Sequence, residues 1–324
     1  MTDSRVIVRV PATSANLGPG FDSLGLALSL HDEIEASLFT PTGGGRAVEV
    51  AVEGEGFGEL DLGDDHLVVQ AMRRAFDRMD APQPAGIRLL CRNRIPHARG
   101  LGSSSAAICA GILAARALAG LPYTPEGGVA PLGSQRTTEL SDEDVFALAT
   151  EMEGHPDNVA PCLAGGLTIA WTDQVGAPRM VKLVPDANVR PVVLIPATRL
   201  STEAARGLLP KDVPHKDASF NAGRAALLIA ALTGRPEREL LLAGTEDRLH
   251  QEYRAPAMRR TADLVKRLRA MGVPATVSGA GPTILAFSTS DAQDSIAPEV
   301  GSDWHIQLMD VDHHGATVQF PETR

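Results

Sequence analysis

One stretch limits the fold of this chain more than any other: Pro96-His97-Ala98-Arg99-Gly100-Leu101-Gly102-Ser103-Ser104-Ser105-Ala106. It follows a strand-like run, Ile87 to Cys91, and opens a helix-forming run, Ser104 to Ala119, dense in Ala, Ile and Leu. A helix with so little polar surface has to be covered on nearly all sides. Strand, turn and helix together therefore predict a mixed fold of sheet and helix with this helix inside it. The turn also has a chemistry of its own. Glycines let a backbone approach a polyphosphate closely, the unpaired N–H groups of the first helical turn point at it, and the helix dipole favours its negative charge. The serine hydroxyls add donors or a Mg²⁺ ligand. A Gly and Ser cap on an ordinary core helix is the simpler account of the same residues. The Gly-Lys-Ser/Thr ending of a Walker A loop is missing.

Elsewhere, Val6 to Val10, Leu26 to Leu30 and Val48 to Val52 read as strands, and Leu67 to Met79 carries apolar residues at helical spacing with Arg73, Arg74 and Arg78 on its polar side. Tyr123 to Glu139, rich in Pro, Gly and Thr, reads as a long surface loop before a helix at Ser141 to Glu153. From Asp173 to Val189 the pattern resets, with Pro178 and Pro185, and a new strand follows at Val192 to Ile195. A domain boundary is expected there, dividing the chain into 1–172 and 173–324. The second half predicts helices from about Thr202, at Lys216 to Thr233 and at Met258 to Met271. Strands are expected near Ala275 to Ser278, Thr283 to Phe287, Trp304 to Asp310 and Thr317 to Phe320.

Composition removes several classes of function. With 30 basic against 40 acidic residues among 324 and no basic run, a nucleic-acid partner is not expected. Cys91, Cys109 and Cys162 are an odd number, far apart and in apolar surroundings, which argues against a disulfide framework or a zinc site and for a reducing, cytoplasmic setting. No uninterrupted apolar stretch reaches the length of a membrane span, and the first residues do not read as an export signal.

Three further segments carry chemistry. Glu151-Met152-Glu153-Gly154-His155-Pro156-Asp157-Asn158 gathers three carboxylates, an imidazole and an amide at a helix end. They could cap the next helix, with Asp157 as a plain N-cap. The functional account is that one carboxylate completes a Mg²⁺ shell while Asp157 and Asn158 face a reacting hydroxyl. Pro11-Ala12-Thr13-Ser14-Ala15-Asn16-Leu17-Gly18-Pro19-Gly20-Phe21-Asp22 and Val277-Ser278-Gly279-Ala280-Gly281-Pro282-Thr283 are glycine-rich turns after strands. Each alone reads as a tight turn.

Together with the serine turn at 96–106, the two glycine-rich turns resemble the three motifs of the GHMP kinases, which occur here in the right order, and the likeness runs along essentially the whole chain. Asn16 to Asp22, Glu153 to Val159 and Ser201-Thr202-Glu203-Ala204-Ala205-Arg206 are most similar to the branch of that superfamily acting on homoserine. The resemblance implies a two-domain α+β architecture, an N-terminal domain like the second domain of ribosomal protein S5 and a ferredoxin-like C-terminal domain. It implies ATP- and Mg²⁺-dependent phosphorylation of the L-homoserine hydroxyl, a step of threonine biosynthesis, by an enzyme of a kind that is often dimeric. Another small-molecule kinase of the superfamily, acting on mevalonate or a sugar alcohol, and a non-catalytic ligand sensor are the competing expectations.

Carried over by motif position, the resemblance places Pro96, Arg99, Gly100, Leu101, Gly102, Ser103, Ser104, Ser105 and Ala106 around the nucleotide phosphates. His66 stands at the adenine contact, where relatives have Asn before Leu-Val. Ser104 and Glu151 would bind Mg²⁺, with Glu153 competing for that role because the spacing to the following histidine varies among relatives. Asp157 and Asn158, with Ser104 and Glu151, make up the implied catalytic group. Asn16, Asp22, His155, Thr202, Arg206, Arg254 and Gly279 would surround homoserine, the arginines on its carboxylate and Asp22 on its ammonium. That division suits an α-amino acid, which needs a cation at one end and an acceptor at the other. Arg206 as a helix-surface partner of Thr202 or Glu203, and Arg254 as a solvated flank residue, are the plainer alternatives.

Overall fold

The computed structural model describes residues 5–42, 45–120, 139–288, 300–301 and 303–321. The loop expected at 123–139 lies outside them except for Glu139. Eleven strands among the described residues form two sheets.

The first sheet is ordered by one long strand. β1 (Arg5–Ala15) pairs antiparallel along β2 (Leu24–Phe39), and on its other edge meets β11 (Thr317–Gln319). The opposite edge of β2 is shared: Leu24 to Leu26 pair with β5 (Leu167–Thr172), and Glu33 to Phe39 with β4 (Gly86–Asn93). Between these contacts the register with β1 shifts, from Pro11 opposite His31 to Ala12 opposite Leu28, a bulge that bends the strand. β3 (Val48–Gly54) runs parallel to β4, and β6 (Pro178–Leu183) pairs with β5.

Four helices cover this sheet. α1 (Leu67–Arg78) buries Val68, Val69, Met72, Ala75 and Phe76 at helical spacing and turns its arginines outward. α2 (Ser103–Ala119) is buried almost all round, as its composition requires, and Gly111 lets α1 lie against it: a Cβ there would fall 2.6 Å from the Val68 carbonyl oxygen. α3 (Asp142–Glu153) starts in a capping box, Ser141 accepting from the Asp144 N–H while the Asp144 carboxylate accepts from the Ser141 N–H. It stops at Gly154, whose left-handed φ of 87° ends the helix. α4 (Val159–Ala164) follows after four residues.

The second sheet has the order β10 (Trp304–Leu308), β7 (Arg190–Pro196), β9 (Ile284–Ser288), β8 (Ala275–Val277), all antiparallel. Numbered within the sheet this is 4-1-3-2, the ferredoxin-like arrangement. β7 is buried on both faces: Val193 and Ile195 join the core of the first sheet, whereas Val192 and Leu194 pack with Leu264, Val265 and Leu268 of α9 (Arg259–Ala270). The connection from β7 carries α5 (Thr202–Arg206), α6 (His215–Gly234), α7 (Arg238–Gly244) and the short α8 (Gln251–Arg254). Among the described residues no helix is long and apolar enough to cross a membrane.

Candidate active site

Three glycine-bearing turns meet at the start of α2. Its N-cap, Gly102, has φ 72°, a conformation that suits glycine, and a Cβ there would lie 2.0 Å from Thr13 Oγ1. The Thr13 N–H donates to the Leu101 carbonyl at 3.0 Å, and its hydroxyl to Asn158 Oδ1 at 2.8 Å. Ser278 donates to the Gly100 carbonyl at 2.6 Å and is 2.8 Å from Ser14 Oγ. Asn16 ties the outer turns together, donating to the Gly279 carbonyl at 2.9 Å while its Oδ1 accepts from the Asp22 N–H at 2.9 Å. Segments 88 (Thr13 to Leu101) and 178 (Gly100 to Ser278) residues apart in sequence are thus locked around one helix end. No side chain caps that end, so its N–H groups remain for an anion.

Two cavities share Ser103 and Ser104 as walls. One, of about 280 Å³, is lined by Asp32, Ile34, Leu67, Val68, His97 and His66 among others. Ile34, Leu60, Leu67, Val68 and Ala107 give it an apolar wall that suits a flat heterocycle, and Asp32, Asp61, Asp65, His66 and Asn93 supply polar groups at its edges. His66 is 5 % exposed with neither ring nitrogen hydrogen-bonded, and burial lowers its pKa, so it is neutral. The second cavity, of about 270 Å³, is lined by Asn16, Gly100, Gly102, Glu153, His155, Asp157, Asn158, Thr202, Arg206, Arg254 and Gly279. Nearly every residue expected at the amino-acid end converges there.

The acidic cluster divides in a way that its spacing leaves open. Glu151 points outward, its side chain 55 % exposed and paired with Arg78 at 2.7 Å and Arg74 at 3.5 Å. Glu153, with a side chain 10 % exposed, enters the second cavity. Burial raises its pKa, while the His155 charge and the nearby hydroxyls of Ser104 and Ser105 act the other way. The expectation of Glu151 as a metal ligand and catalytic residue is corrected here, since a carboxylate held by two surface arginines on the far side of α3 does not reach Ser104. Among the described residues no cluster of three or more His, Cys, Asp or Glu side chains forms a metal cage. A Ser–Glu pair is nonetheless what Mg²⁺ uses when phosphate oxygens and water fill its other positions.

Asp157 is buried, and its Oδ1 lies 2.7 Å from His155 Nδ1. It is not an N-cap: that position at α4 belongs to Asn158, whose side chain makes no capping bond. Burial pulls the His155 pKa down, but the bond to Asp157 and the charges of Asp157 and Glu153 outweigh it, and the net shift is upward.

The two arginines differ sharply. Arg206 forms a two-pronged pair with Asp22, at 2.6 and 3.1 Å. Residues expected at opposite ends of a ligand therefore hold each other, and neither Thr202 nor Glu203 is the partner. Arg254 is 1 % exposed, the largest fully buried side chain among the described residues. Its Nη1 lies 3.3 Å from both the Gly279 carbonyl and His250 Nδ1, and Nε has no partner. Desolvation, then the Arg206 charge, lowers its pKa, yet a guanidinium remains charged. It is not a solvated flank residue. Phe21 lies near both guanidinium groups, 5.7 Å from Arg206 and 5.4 Å from Arg254.

Other expected residues sit at the periphery. Arg99 is turned away from the helix end and donates to the carbonyls of Pro196 and Ala197 at 3.0 and 3.2 Å, and with Pro96 it lines a separate groove. Leu101, Ser105 and Ala106 are buried on the core side of the turn. Ser14, Ser278, His250 and Asp32, which sequence reasoning did not single out, support or line the site. Asp32 lies in the polar stretch His31-Asp32-Glu33 of β2 and carried no signal of its own.

Family models match both halves: GHMP kinases N terminal domain over residues 66–166 and GHMP kinases C terminal over 228–306. The chain is 52 % identical over 313 residues to a homoserine kinase of Streptomyces coelicolor, covering 97 % of this chain and 94 % of that one. The chain belongs to the homoserine kinases of the GHMP family. A homoserine kinase of Clavibacter michiganensis is 49 % identical, with 98 % of this chain and 95 % of that one covered. The crystal structure of homoserine kinase from Cytophaga hutchinsonii superposes with a TM-score of 0.77 at 25 % identity, covering 98 % of both chains. The two-domain α+β architecture implied by the three motifs is that of the family.

Proposed function

We propose that the chain transfers the γ-phosphoryl group of ATP to the side-chain hydroxyl of L-homoserine, giving O-phospho-L-homoserine. The meeting of two cavities at Ser103 and Ser104, with the uncapped end of α2 between them, carries this reading. A base on one side and an amino acid on the other bring the reacting groups together where the helix end favours negative charge.

Ser104 and Glu153 would hold Mg²⁺, which when bound neutralises charge on the phosphoryl group in flight. Arg254 takes the substrate carboxylate: it is a desolvated cation with a hydrogen-bonding nitrogen to spare. Arg206 turns from Asp22 toward the substrate, freeing Asp22 for the ammonium. Asp157 is spent on His155 and orients that ring instead of taking the hydroxyl proton. A loose, metaphosphate-like transition state asks little of a base. In the same reading residues 1–172 form the nucleotide-binding domain and 173–324 the second, with β6 and β11 of the latter completing the first sheet. The three free, buried cysteines suit a reducing cytoplasm.

Measuring ATP-dependent phosphorylation across homoserine, 4-hydroxybutyrate, serine and mevalonate tests this. Homoserine should greatly exceed the rest. 4-Hydroxybutyrate lacks only the ammonium, and serine, clamped by its charges, is one methylene too short to reach the phosphoryl group. Equal rates with 4-hydroxybutyrate would remove the role of Asp22, and preference for mevalonate would remove the substrate assignment.

A further inference from the structure

The cavity on the His66 side of the serine turn holds a carboxylate that phosphate chemistry leaves unused. Asp32 is 5 % exposed, just beyond the bulge that bends β2. Its Oδ1 accepts from the N–H groups of Arg94 and Ile95 at 2.6 and 2.9 Å, which leaves Oδ2 to the cavity that Asp32 lines. Burial outweighs those two bonds and raises its pKa to about 6, the mark of a carboxylate short of donors. His66, neutral and unpartnered, lines the same space and offers one donor and one acceptor. Ile34, Leu67, Val68 and Ala107 supply the apolar walls.

We infer that Asp32 is a specificity-determining residue that selects the nucleotide by the amino group on the six-membered ring of its base. The inference rests on the reading that the nucleotide base occupies this cavity. An amino group at C6 gives Oδ2 the donor it lacks. A 6-oxo purine sets the lone pairs of its oxygen against those of Oδ2, so hypoxanthine and guanine bind less well than adenine. His66 meets a ring nitrogen in either tautomer and does not make this choice itself.

The competing account is that Asp32 only braces the turn at 94–95, and Asp32→Asn separates the two. Its Oδ1 still accepts from Arg94 and Ile95, while an N–H donor replaces Oδ2. In the full-length chain at saturating homoserine, the ratio of kcat/KM for ATP to that for ITP should fall at least about tenfold in the variant. An unchanged ratio, with both nucleotides losing equally, overturns the inference. The unmodified chain offers an independent arm: purine riboside 5′-triphosphate, which lacks the amino group, should be at least about tenfold poorer than ATP, and parity would also overturn it. Binding of ADP against IDP without homoserine reads base choice apart from transfer. A chain that prefers ADP but phosphorylates no homoserine would refute the proposed function and leave the base reader standing, whereas equal binding would refute the reader alone.

Discussion

Exchanging Glu153 for Gln, with Glu151→Gln beside it, asks which face of α3 serves the phosphoryl group. Two residues along a helix are about 200° apart, so the two carboxylates face opposite ways. Glu151 gives its charge to Arg74 and Arg78 on the surface, where exposed pairs contribute about 0–1 kcal/mol. Its replacement should leave kcat within about twofold and stability within about 1 kcal/mol. Glu153 is buried beside Ser104, and removing one preorganised group that meets developing charge typically costs ~3 kcal/mol, on the order of 10²-fold in kcat. Gln keeps the shape and relieves the burial that raises the Glu153 pKa, so the fold should persist or gain slightly. The assay is a Mg²⁺ titration of homoserine phosphorylation, with thermal unfolding as the control. Glu153→Gln should need a higher Mg²⁺ concentration for half-maximal rate and should plateau lower. A crippled Glu151→Gln beside an active Glu153→Gln would refute the assignment.

Two other outcomes follow from the same geometry. Arg254→Met fills the buried space without the charge and should weaken homoserine binding by about 2–4 kcal/mol, as for truncating one partner of a buried charge pair, while ADP binding measured by calorimetry stays nearly constant; an equal loss for both ligands would count against a carboxylate clamp. Burial pushes the Asp312 carboxyl up, but the His31 bond at 2.7 Å and the N–H groups of Gly315 and His314 hold it down to about 2. A depressed carboxyl contributes stability that is present above its unfolded value of 3.8 and lost as pH falls toward 2. Urea midpoints recorded from pH 4 to 2 should therefore fall less steeply in Asp312→Asn than in the unmodified chain, and identical slopes would exclude the contribution.

How far the sequence could be read depended on what each residue faces. The apolar run after Gly102 and the stripe of Leu67 to Met79 announced buried helices because local pattern and tertiary environment agree there. Asp173 to Val189, read as a break, contains β6, an edge strand with no fully buried residue and two prolines within or next to it. Alternation disappears from a strand with no core to face. The motifs converge on one candidate site in the structure, but did not tell which glutamate enters it, since α3 has neighbours on both sides. The Asp22–Arg206 pair spans 184 residues, and no local signal tells two charges that they will neutralise one another. Arg254 sits in a polar-looking tetrapeptide, and only the packing of His250 and Gly279 around it makes it a core residue.

The pairing of β11 with β1, Gln319 against Ile7 and Thr317 against Arg9, has a consequence for how the molecule is assembled in time. Closing so large a loop adds little entropy beyond that of a shorter one, because the cost grows only with the logarithm of its length. The search for the partner strand, however, is slow when contacts are this far apart in sequence. During synthesis, β1 emerges from the ribosome about 300 residues ahead of the strand that will cover it, with one row of backbone hydrogen-bonding groups unpaired. For that interval the sheet that carries the serine turn has an adhesive edge, open to pairing with other nascent chains.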